Sequence, residues 1–334
     1  MTIVDPFSDE QARALINLDQ RYQVWMQAEQ VLAALPYDLR RKTVGERLYL
    51  YEIEDRGGNG RSLGPWSAEN EARFTAYRAE KAAAKARREA YRETLREISR
   101  LCRALRLPLL ASPAGEILRE ADRRRLLGSH LLVVGTNAMV AYNVEAGGFI
   151  REAPDETLDF DLAWSATETD VDEDVVWNML KTVDATYTVN LERDFQARNS
   201  KAYEVEILTA PSRAATMFKS DRPRPIPLPE QEWLLLGRPV DRVIACRDGS
   251  PARIVAPDPR WFALQKLWMS QQAKRNPLKR PKDLKQGRAL LNAVHTAMPQ
   301  YPLDDAFEAV LPEALKAPYQ AWKENRPEIP RTNW

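Results

Sequence analysis

Two carboxylates, Asp159 and Asp161, stand two residues apart within an otherwise apolar segment. On a β-strand, residues at this spacing point to the same face, so we expect the two side chains to lie side by side. Like charges held together repel each other and are costly to bury without a partner. A divalent cation resolves that conflict, and hard oxygen ligands of this kind suit Mg²⁺, which usually binds substrate phosphates as well.

A glycine turn precedes these acids in the chain. The apolar run from Leu131 to Val134 ends at Gly135 and is followed by Thr136, which indicates a buried strand that turns tightly into a helix. We predict that helix for residues 137–144. Its N-terminus would present free backbone N–H groups to a phosphate.

A further acidic segment follows the paired aspartates. Residues 203–209 alternate like a strand, with Glu204 and Glu206 on one face. Taken together, these segments resemble the DNA polymerase β-like nucleotidyltransferase superfamily. Its pattern is a hydrophobic residue, Gly, then Gly or Ser, and later Asp-hydrophobic-Asp/Glu-hydrophobic. The matching segments are Val134-Gly135-Thr136, Asp159-Phe160-Asp161-Leu162 and Val205-Glu206-Ile207.

A narrower resemblance rests on the block from Gly135 to Met139, Gly-Thr-Asn-Ala-Met, with Ala141-Tyr142 shortly after it. This block is similar to a bacterial branch of nucleotidyltransferase-like proteins. Thr136 stands where the superfamily usually has Gly or Ser, and the interval from Gly135 to Asp159 is longer than in minimal members. We expect a loop at Gly147-Gly148 to accommodate the extra residues.

The resemblance implies an enzyme and assigns roles to particular residues. It implies that the catalytic residues also bind Mg²⁺ or Mn²⁺, and that Glu206 helps to activate the acceptor. It implies nucleotide binding by the glycine turn and the residues after it. The implied catalytic and metal-binding residues are Asp159, Asp161 and Glu206, and the nucleotide-binding residues of the turn are Gly135, Thr136 and Asn137.

Two lysines near the C-terminus belong to the same resemblance. The segment Phe262–Leu267, followed by Lys282-Asp283-Leu284, resembles the helix pair after the core in several bacterial nucleotidyltransferase-like families. There a lysine reaches a phosphate and a Lys/Arg–Asp pair braces the site, so we predict that Lys266 and Lys282 bind the nucleotide. Alternatively, Lys266 extends along an apolar face to reach solvent, and the Lys282–Asp283 pair is a surface salt bridge at the start of a helix.

Composition narrows the class of protein. The chain has 334 residues, of which 29% are charged and 44% hydrophobic, and its formal net charge is +1. The protein therefore has no overall electrostatic field that would attract nucleic acid or a membrane, and binding to either would need a local patch of positive charge. Two distant cysteines, Cys102 and Cys246, argue against a zinc site or a disulfide scaffold. Without an apolar leader or a run long enough to span a bilayer, we expect a cytoplasmic protein.

The predicted fold class is α+β, with a polymerase β-like nucleotidyltransferase core of a mixed sheet and helices. Residues 1–110 are predicted to form an N-terminal helical region with a β-hairpin at 47–66 and helices at about 8–35 and 67–107. The core is predicted for residues 111–256, and a C-terminal helical region for residues 257–334.

The function that follows is Mg²⁺-dependent transfer of a nucleotide from an NTP to a hydroxyl or phosphate acceptor, which could be RNA, tRNA, a protein or a small molecule. An alternative is a catalytically inactive binding or regulatory protein with the same fold. A third class is a nucleic-acid-binding protein that uses the basic segments 81–106 and 274–288. The sequence leaves the acceptor, the NTP base and the oligomeric state open.

Overall fold

The computed structural model describes residues 2–153 and 159–328. The first part of the chain forms two long helices and a small sheet. The first helix begins with the predicted capping box, in which the Gln11 backbone N–H donates to Ser8 Oγ and the Ser8 N–H donates to Gln11 Oε1. Both predicted long helices are confirmed. The elements of this part are β1 Val4–Pro6, α1 Asp9–Ala34, β2 Asp38–Val44, β3 Arg47–Ile53, β4 Gly60–Pro65 and α2 Ala68–Ala104.

The predicted hairpin is part of a larger sheet. β2 pairs with β3 and β3 pairs with β4, both antiparallel, so the sheet has three strands in the order β2-β3-β4. β2 was missed because its charged sequence buries only Leu39 and lacks the apolar alternation that signals a strand. Leu39 packs with Leu50 of β3 and Tyr77 of α2 in a separate small core.

The C-terminal half of α2 packs against α1. Leu95 and Cys102 join Leu18 and Tyr22 of α1 in one buried cluster. The same cluster includes Val243 from a strand of the remaining chain. The N-terminal helices are therefore anchored to the rest of the protein by hydrophobic packing.

The central element of the remaining chain is a mixed sheet. Its strands follow the order β5-β7-β10-β9-β8, and β11 pairs with the end of β10. β7 and β10 are parallel, whereas β5 runs antiparallel to β7 and β9 runs antiparallel to β10. The elements are α3 Ser112–Arg123, β5 Leu131–Val134, α4 Met139–Glu145, β6 Gly148–Ile150, β7 Asp159–Trp164, α5 Val175–Val183, β8 Thr188–Val189, β9 Gln196–Arg198, β10 Glu204–Thr209, β11 Ile226–Pro227, β12 Val240–Ala245 and β13 Pro251–Ala256.

The long interval between Gly135 and Asp159 contains a strand as well as a turn. The chain turns at Gly147, whose φ is 65°, and β6 then pairs antiparallel with β1. The extra residues thus attach the N-terminal strand to the sheet-bearing part of the protein. Residues 154–158 of the predicted core and 329–334 of the predicted C-terminal region lie outside the described residues.

The C-terminal helices share one hydrophobic core with the sheet, which includes Phe160, Phe262 and Leu290. Gly287 permits close packing of the first two of these helices, since a Cβ there would come within 2.8 Å of the Ala263 carbonyl oxygen. Within the described residues, no helix combines the length and apolar character needed to cross a bilayer. The helices are α6 Pro259–Gln271, α7 Arg280–Ala297, α8 Asp305–Ala309 and α9 Glu313–Lys323. The α+β class with a mixed sheet is confirmed.

Candidate active site

The predicted acidic residues lie on two neighbouring strands. β7 and β10 are parallel partners, with Glu206 opposite Asp161 and Glu204 opposite Asp159. Because side chains alternate across a sheet, these acids share one face. The intervening residues, such as Phe160 and the residues on either side of Glu206, are fully buried in the core on the other face. Hydrophobic packing of one face therefore fixes the acids on the other.

Gly135 is required by the position of Asp161. It follows Val134, the last residue of β5, and Val134 lies opposite Asp161 in the antiparallel pairing. Its φ is 67°, a conformation that favours glycine. A Cβ at this position would overlap the Asp161 carboxylate. The resemblance implies that this turn binds the nucleotide, and the structure gives the close approach of Asp161 as a second reason for a glycine here.

The two residues after Gly135 support the acidic strand from its side. The Asn137 side-chain amide donates to the backbone carbonyl of Asp159 at 2.9 Å, and both Thr136 and Asn137 are buried. The Thr136 hydroxyl accepts a long hydrogen bond of 3.4 Å from the Gln286 amide of α7. Their nucleotide-binding role stays a prediction. In the structure they hold the turn against β7 and α7.

The two glutamates of β10 have different surroundings. Gln196 of β9 donates to both, at 3.0 Å to Glu204 Oε2 and 3.1 Å to Glu206 Oε1. Glu204 also forms an ion pair with Arg198. In the described part of the chain, Glu206 has no such ion pair, which makes it the more available acid of the two. Gln196 was not predicted, because its contact depends on the pairing of β9 with β10.

The electrostatics of the site show that the acids repel each other. Burial raises the pKa of Asp161 to about 7, and the nearby charges of Asp159 and Glu206 act in the same direction. The pKa of Glu206 is also raised, first by burial and then by Asp159. Both shifts mean that the cluster binds protons more tightly than isolated carboxylates do.

Lys266 lies close to this cluster but is not directed at open solvent. It is 6% exposed, and its ammonium donates to Asp283 Oδ1 of α7 at 3.0 Å. Arg275 donates to the other oxygen of the same carboxylate at 2.7 Å. Asp283 therefore holds both Lys266 and Arg275 in place. The positive charge of Lys266 also lowers the pKa of Asp161 against the stronger effect of burial.

Two more lysines approach the acids. Lys279 Nζ lies 3.6 Å from Asp159 Oδ2, although its side chain is 55% exposed. The pKa of Lys282 is lowered by partial burial and by the charge of Lys266, so the two ammonium groups are neighbours. Lys282 was predicted from the resemblance. Lys279 was not, since it lies in a basic segment whose path the sequence does not define.

The donor set suits a metal that takes few protein ligands. Within residues 2–153 and 159–328, no group of three or more His, Cys, Asp and Glu side chains is arranged so that it could hold a metal ion. Mg²⁺ does not need such a group, since it usually binds one or two carboxylates together with waters and substrate phosphates. Asp159 and Asp161, with Glu206 beside them, provide such an open set. Mutually repelling carboxylates flanked by lysines are the kind of site that handles anionic phosphates with a divalent cation.

The fold is α+β, with acids of two neighbouring strands on one face of its mixed sheet, and comparison with protein families gives a more specific result. The family model of the nucleotidyltransferases matches residues 112–312, which is more than half of the chain. The chain therefore belongs to the nucleotidyltransferase family and is a nucleotidyltransferase, as the resemblance in its sequence predicted. The match begins at the first residue of α3 and covers every candidate site residue.

Solved structures and curated sequences show little similarity to the chain. A crystal structure of an antigenic nucleotidyltransferase-like protein from Paracoccidioides brasiliensis is similar at a TM-score of 0.38 and 14% sequence identity, over 65% of this chain and 91% of that one. No curated protein sequence matches the chain. The family assignment thus rests on the family model.

We predict that the metal-free protein is destabilised by its own acidic cluster. Since the folded state holds the Asp161 proton more tightly than the unfolded chain, stability should fall as the pH rises from about 4 to about 7. Asp161→Asn removes that charge. In the presence of EDTA it should raise the free energy of unfolding by roughly 4 kcal/mol at about pH 8 and by less than half of that at about pH 5. Denaturant unfolding measures both values, and a destabilised variant at the higher pH would contradict this prediction.

A second prediction concerns the buried ion pair of Lys266 and Asp283. Lys266→Met should cost about 2–4 kcal/mol, because it leaves Asp283 with a single cation and Asp161 with less compensation. Lys266→Met/Asp283→Asn should cost less than the sum of the two single changes, by roughly 1–3 kcal/mol. A double-mutant cycle measured by denaturant unfolding gives this coupling. Strictly additive losses would show that the pair contributes only through packing.

Proposed function

We propose that this nucleotidyltransferase moves a nucleotide from an NTP to a hydroxyl or phosphate acceptor with the assistance of Mg²⁺. The observation that carries the proposal is the register of β7 and β10. It places Asp161 opposite Glu206 on one face, beside Asp159 and next to a glycine turn. Burial, and then the charges of neighbouring acids, raise the pKa values of the two facing acids, and a bound cation would relieve the repulsion between them.

Asp159 and Asp161 are the residues that would hold the metal. They lie at the start of β7, where Asp159 is partly exposed and open to a substrate. A bound Mg²⁺ would neutralise part of the triphosphate charge and polarise the reacting phosphate. Mn²⁺ shares this preference for oxygen ligands. Hydrogen bonding from Asn137 to the Asp159 backbone keeps the strand start in place.

Glu206 is the residue that we assign to activating the acceptor. A raised pKa makes a carboxylate a better proton acceptor near neutral pH, and Gln196 orients Glu206 by donating to Oε1. Removing the hydroxyl proton allows the acceptor oxygen to attack the α-phosphorus of the NTP. A new bond forms between the acceptor oxygen and the α-phosphorus, and the bond from the α-phosphorus to the oxygen that bridges it to the β-phosphorus breaks. Pyrophosphate leaves, and Glu206 keeps the proton of the acceptor.

The lysines supply positive charge for the phosphates. Lys279 lies at Asp159, and Lys282 lies near Lys266 in a partly buried position. Lys279 is mostly exposed, so it can leave Asp159 and contact a phosphate when the acid binds a metal. Lys266, held by Asp283, contributes mainly through the field of its fixed charge on the cluster.

Transfer is tested by incubating the protein with Mg²⁺, cell lysate and each common NTP, labelled either on the α- or on the γ-phosphate. Nucleotide transfer labels an acceptor from the α-phosphate and not from the γ-phosphate. Digestion of the labelled material with a protease or a ribonuclease then identifies the acceptor class. Labelling from the γ-phosphate alone would show a kinase and contradict the proposal.

We predict that Glu206→Gln lowers the rate of transfer by about 100-fold or more, because it removes the proposed base. Glu204→Gln is the matched control, since it changes the neighbouring acid of the same strand and face. It should spare most of the activity, because Glu204 is engaged with Arg198. A larger loss of activity in Glu204→Gln than in Glu206→Gln would contradict the prediction and show that Glu204 is the catalytic acid. The rate is measured as initial label incorporation at saturating NTP.

A further inference from the structure

The N-terminal part of the chain, outside the residues that the family matches, contains a cleft of about 950 Å³. It lies between the end of α1, the strand β2, the turn that follows β3, and one face of α2. The acidic cluster does not contribute to it. The cationic residues that line the cleft are Arg40, Arg56, Arg78, Lys81, Lys85 and Arg88.

The lining of this cleft is positively charged, because six Lys and Arg side chains face the carboxylates of only Asp38 and Glu54, and the segment that contains it is basic as a whole. Residues 38–106 contain 17 Lys and Arg and 11 Asp and Glu, a net charge of +6, whereas the whole chain carries +1. The rest of the chain is therefore acidic overall. A local field of this sign attracts a polyanion even though the protein as a whole is close to neutral.

Much of this charge is not neutralised within the protein. Arg40 is paired with Asp38 at 2.9 Å, and Arg88 has a longer contact of 3.8 Å with Glu29. In the part of the chain that the structure describes, the exposed side chains of Arg56, Arg78 and Lys85 have no carboxylate partner. Three cations are thus available on the walls of one cleft.

Aromatic rings lie among these cations. Tyr37 lines the cleft with 46% of its surface exposed, and the ammonium of Lys81 lies 5.9 Å from the centre of its ring. Tyr77 lies below, with the same ammonium 4.9 Å from its ring centre. An exposed aromatic ring beside free cations is the combination that binds single-stranded nucleic acids, where bases stack and phosphates meet positive charge.

The cleft is held open by contacts that do not need a ligand. The hydroxyl oxygen of the buried Tyr77 lies 3.3 Å from the backbone carbonyl oxygens of both Pro36 and Tyr37 and donates a shared hydrogen bond to them. The Lys81 ammonium also donates to the Tyr37 carbonyl oxygen. The lining residues of α2 recur on one face from Tyr77 to Arg88, which corresponds to roughly 16 Å of helix. The charged wall is therefore rigid and elongated.

We propose that this cleft binds a single-stranded polynucleotide, with its phosphates on Arg56, Arg78 and Lys85 and a base stacked on Tyr37. The cations supply affinity without reading sequence, and the ring favours a strand whose bases are unpaired. This binding is separate from the proposed nucleotide transfer, because it requires neither NTP nor metal. It is tested in their absence, so a failure of one leaves the other intact.

The test is fluorescence anisotropy with labelled oligouridylate and oligothymidylate in EDTA, over a range of salt concentrations. Arg56→Gln/Arg78→Gln/Lys85→Gln should weaken binding about tenfold or more and reduce the slope of log affinity against log salt by about 2, as expected for three lost phosphate contacts. Tyr37→Ala should weaken binding about tenfold with little change in the salt slope, and Tyr37→Phe should restore it.

A control variant removes the same number of charges from a part of α2 outside the cleft. Arg87, Arg96 and Arg100 are exposed on α2 and do not line the cleft. Arg87→Gln/Arg96→Gln/Arg100→Gln should keep most of the affinity, and thermal unfolding should show that every variant is folded. Stronger binding of oligouridylate assigns the site to RNA, whereas equal binding assigns it to single strands of either kind.

Three outcomes would overturn the proposal. One is the absence of oligonucleotide binding by the wild-type protein. Another is an equal loss of affinity in the two triple variants, which would show that the overall charge of the helix and not the cleft is responsible. The last is that polyglutamate or polyphosphate competes for the cleft as well as an unlabelled oligonucleotide does. Those polymers lack bases, so this result would show that the cleft binds polyanions in general or acidic proteins.

Discussion

Repulsion among carboxylates that share one sheet face is the constraint on which the rest of the structure depends. Parallel pairing of β7 with β10 aligns Glu206 with Asp161, and the i, i+2 spacing adds Asp159. Core packing of Phe160 and its neighbours on the opposite face prevents these acids from turning away. The cluster is therefore built into the sheet and destabilises it until a cation or a proton reduces its charge.

Elements outside the sheet compensate for this charge. Lys266 is held near Asp161 by Asp283 of α7, and Gly287 allows α6 and α7 to pack closely enough for that pair to form. The C-terminal helices share their hydrophobic core with the sheet. This shared packing gives a physical reason why the family match continues through α6 and α7 to residue 312. The site depends on both parts of the chain.

Local patterns in the sequence predicted much of this arrangement. The spacing of Asp159 and Asp161, the turn at Gly135 and the capping box at Ser8 each depend on neighbouring residues, so they could be read directly. The contacts that could not be predicted join distant segments. Gln196 reaches Glu206 through the register of β9 with β10, and the Lys279 ammonium approaches Asp159 from a loop more than a hundred residues later.

The same distinction explains why the sequence did not reveal the strand β2 or the partners of Asp283. β2 carries the charged sequence Asp-Leu-Arg-Arg-Lys-Thr-Val and is a strand because β3 offers it a partner, which its own residues do not signal. Asp283 binds Lys266 and Arg275, which the packing of the C-terminal segments brings to it. Tertiary contacts decided both outcomes.

The central claim is that Asp159 and Asp161 together form the cation site of this nucleotidyltransferase. The most direct measurement is anomalous X-ray scattering from crystals grown with Mn²⁺ and a non-hydrolysable NTP analogue. The account predicts an anomalous peak within about 2.5 Å of carboxylate oxygens of both Asp159 and Asp161, with Lys279 displaced towards the phosphates. A bound analogue whose Mn²⁺ contacts neither aspartate, with Lys279 still at Asp159, would contradict it.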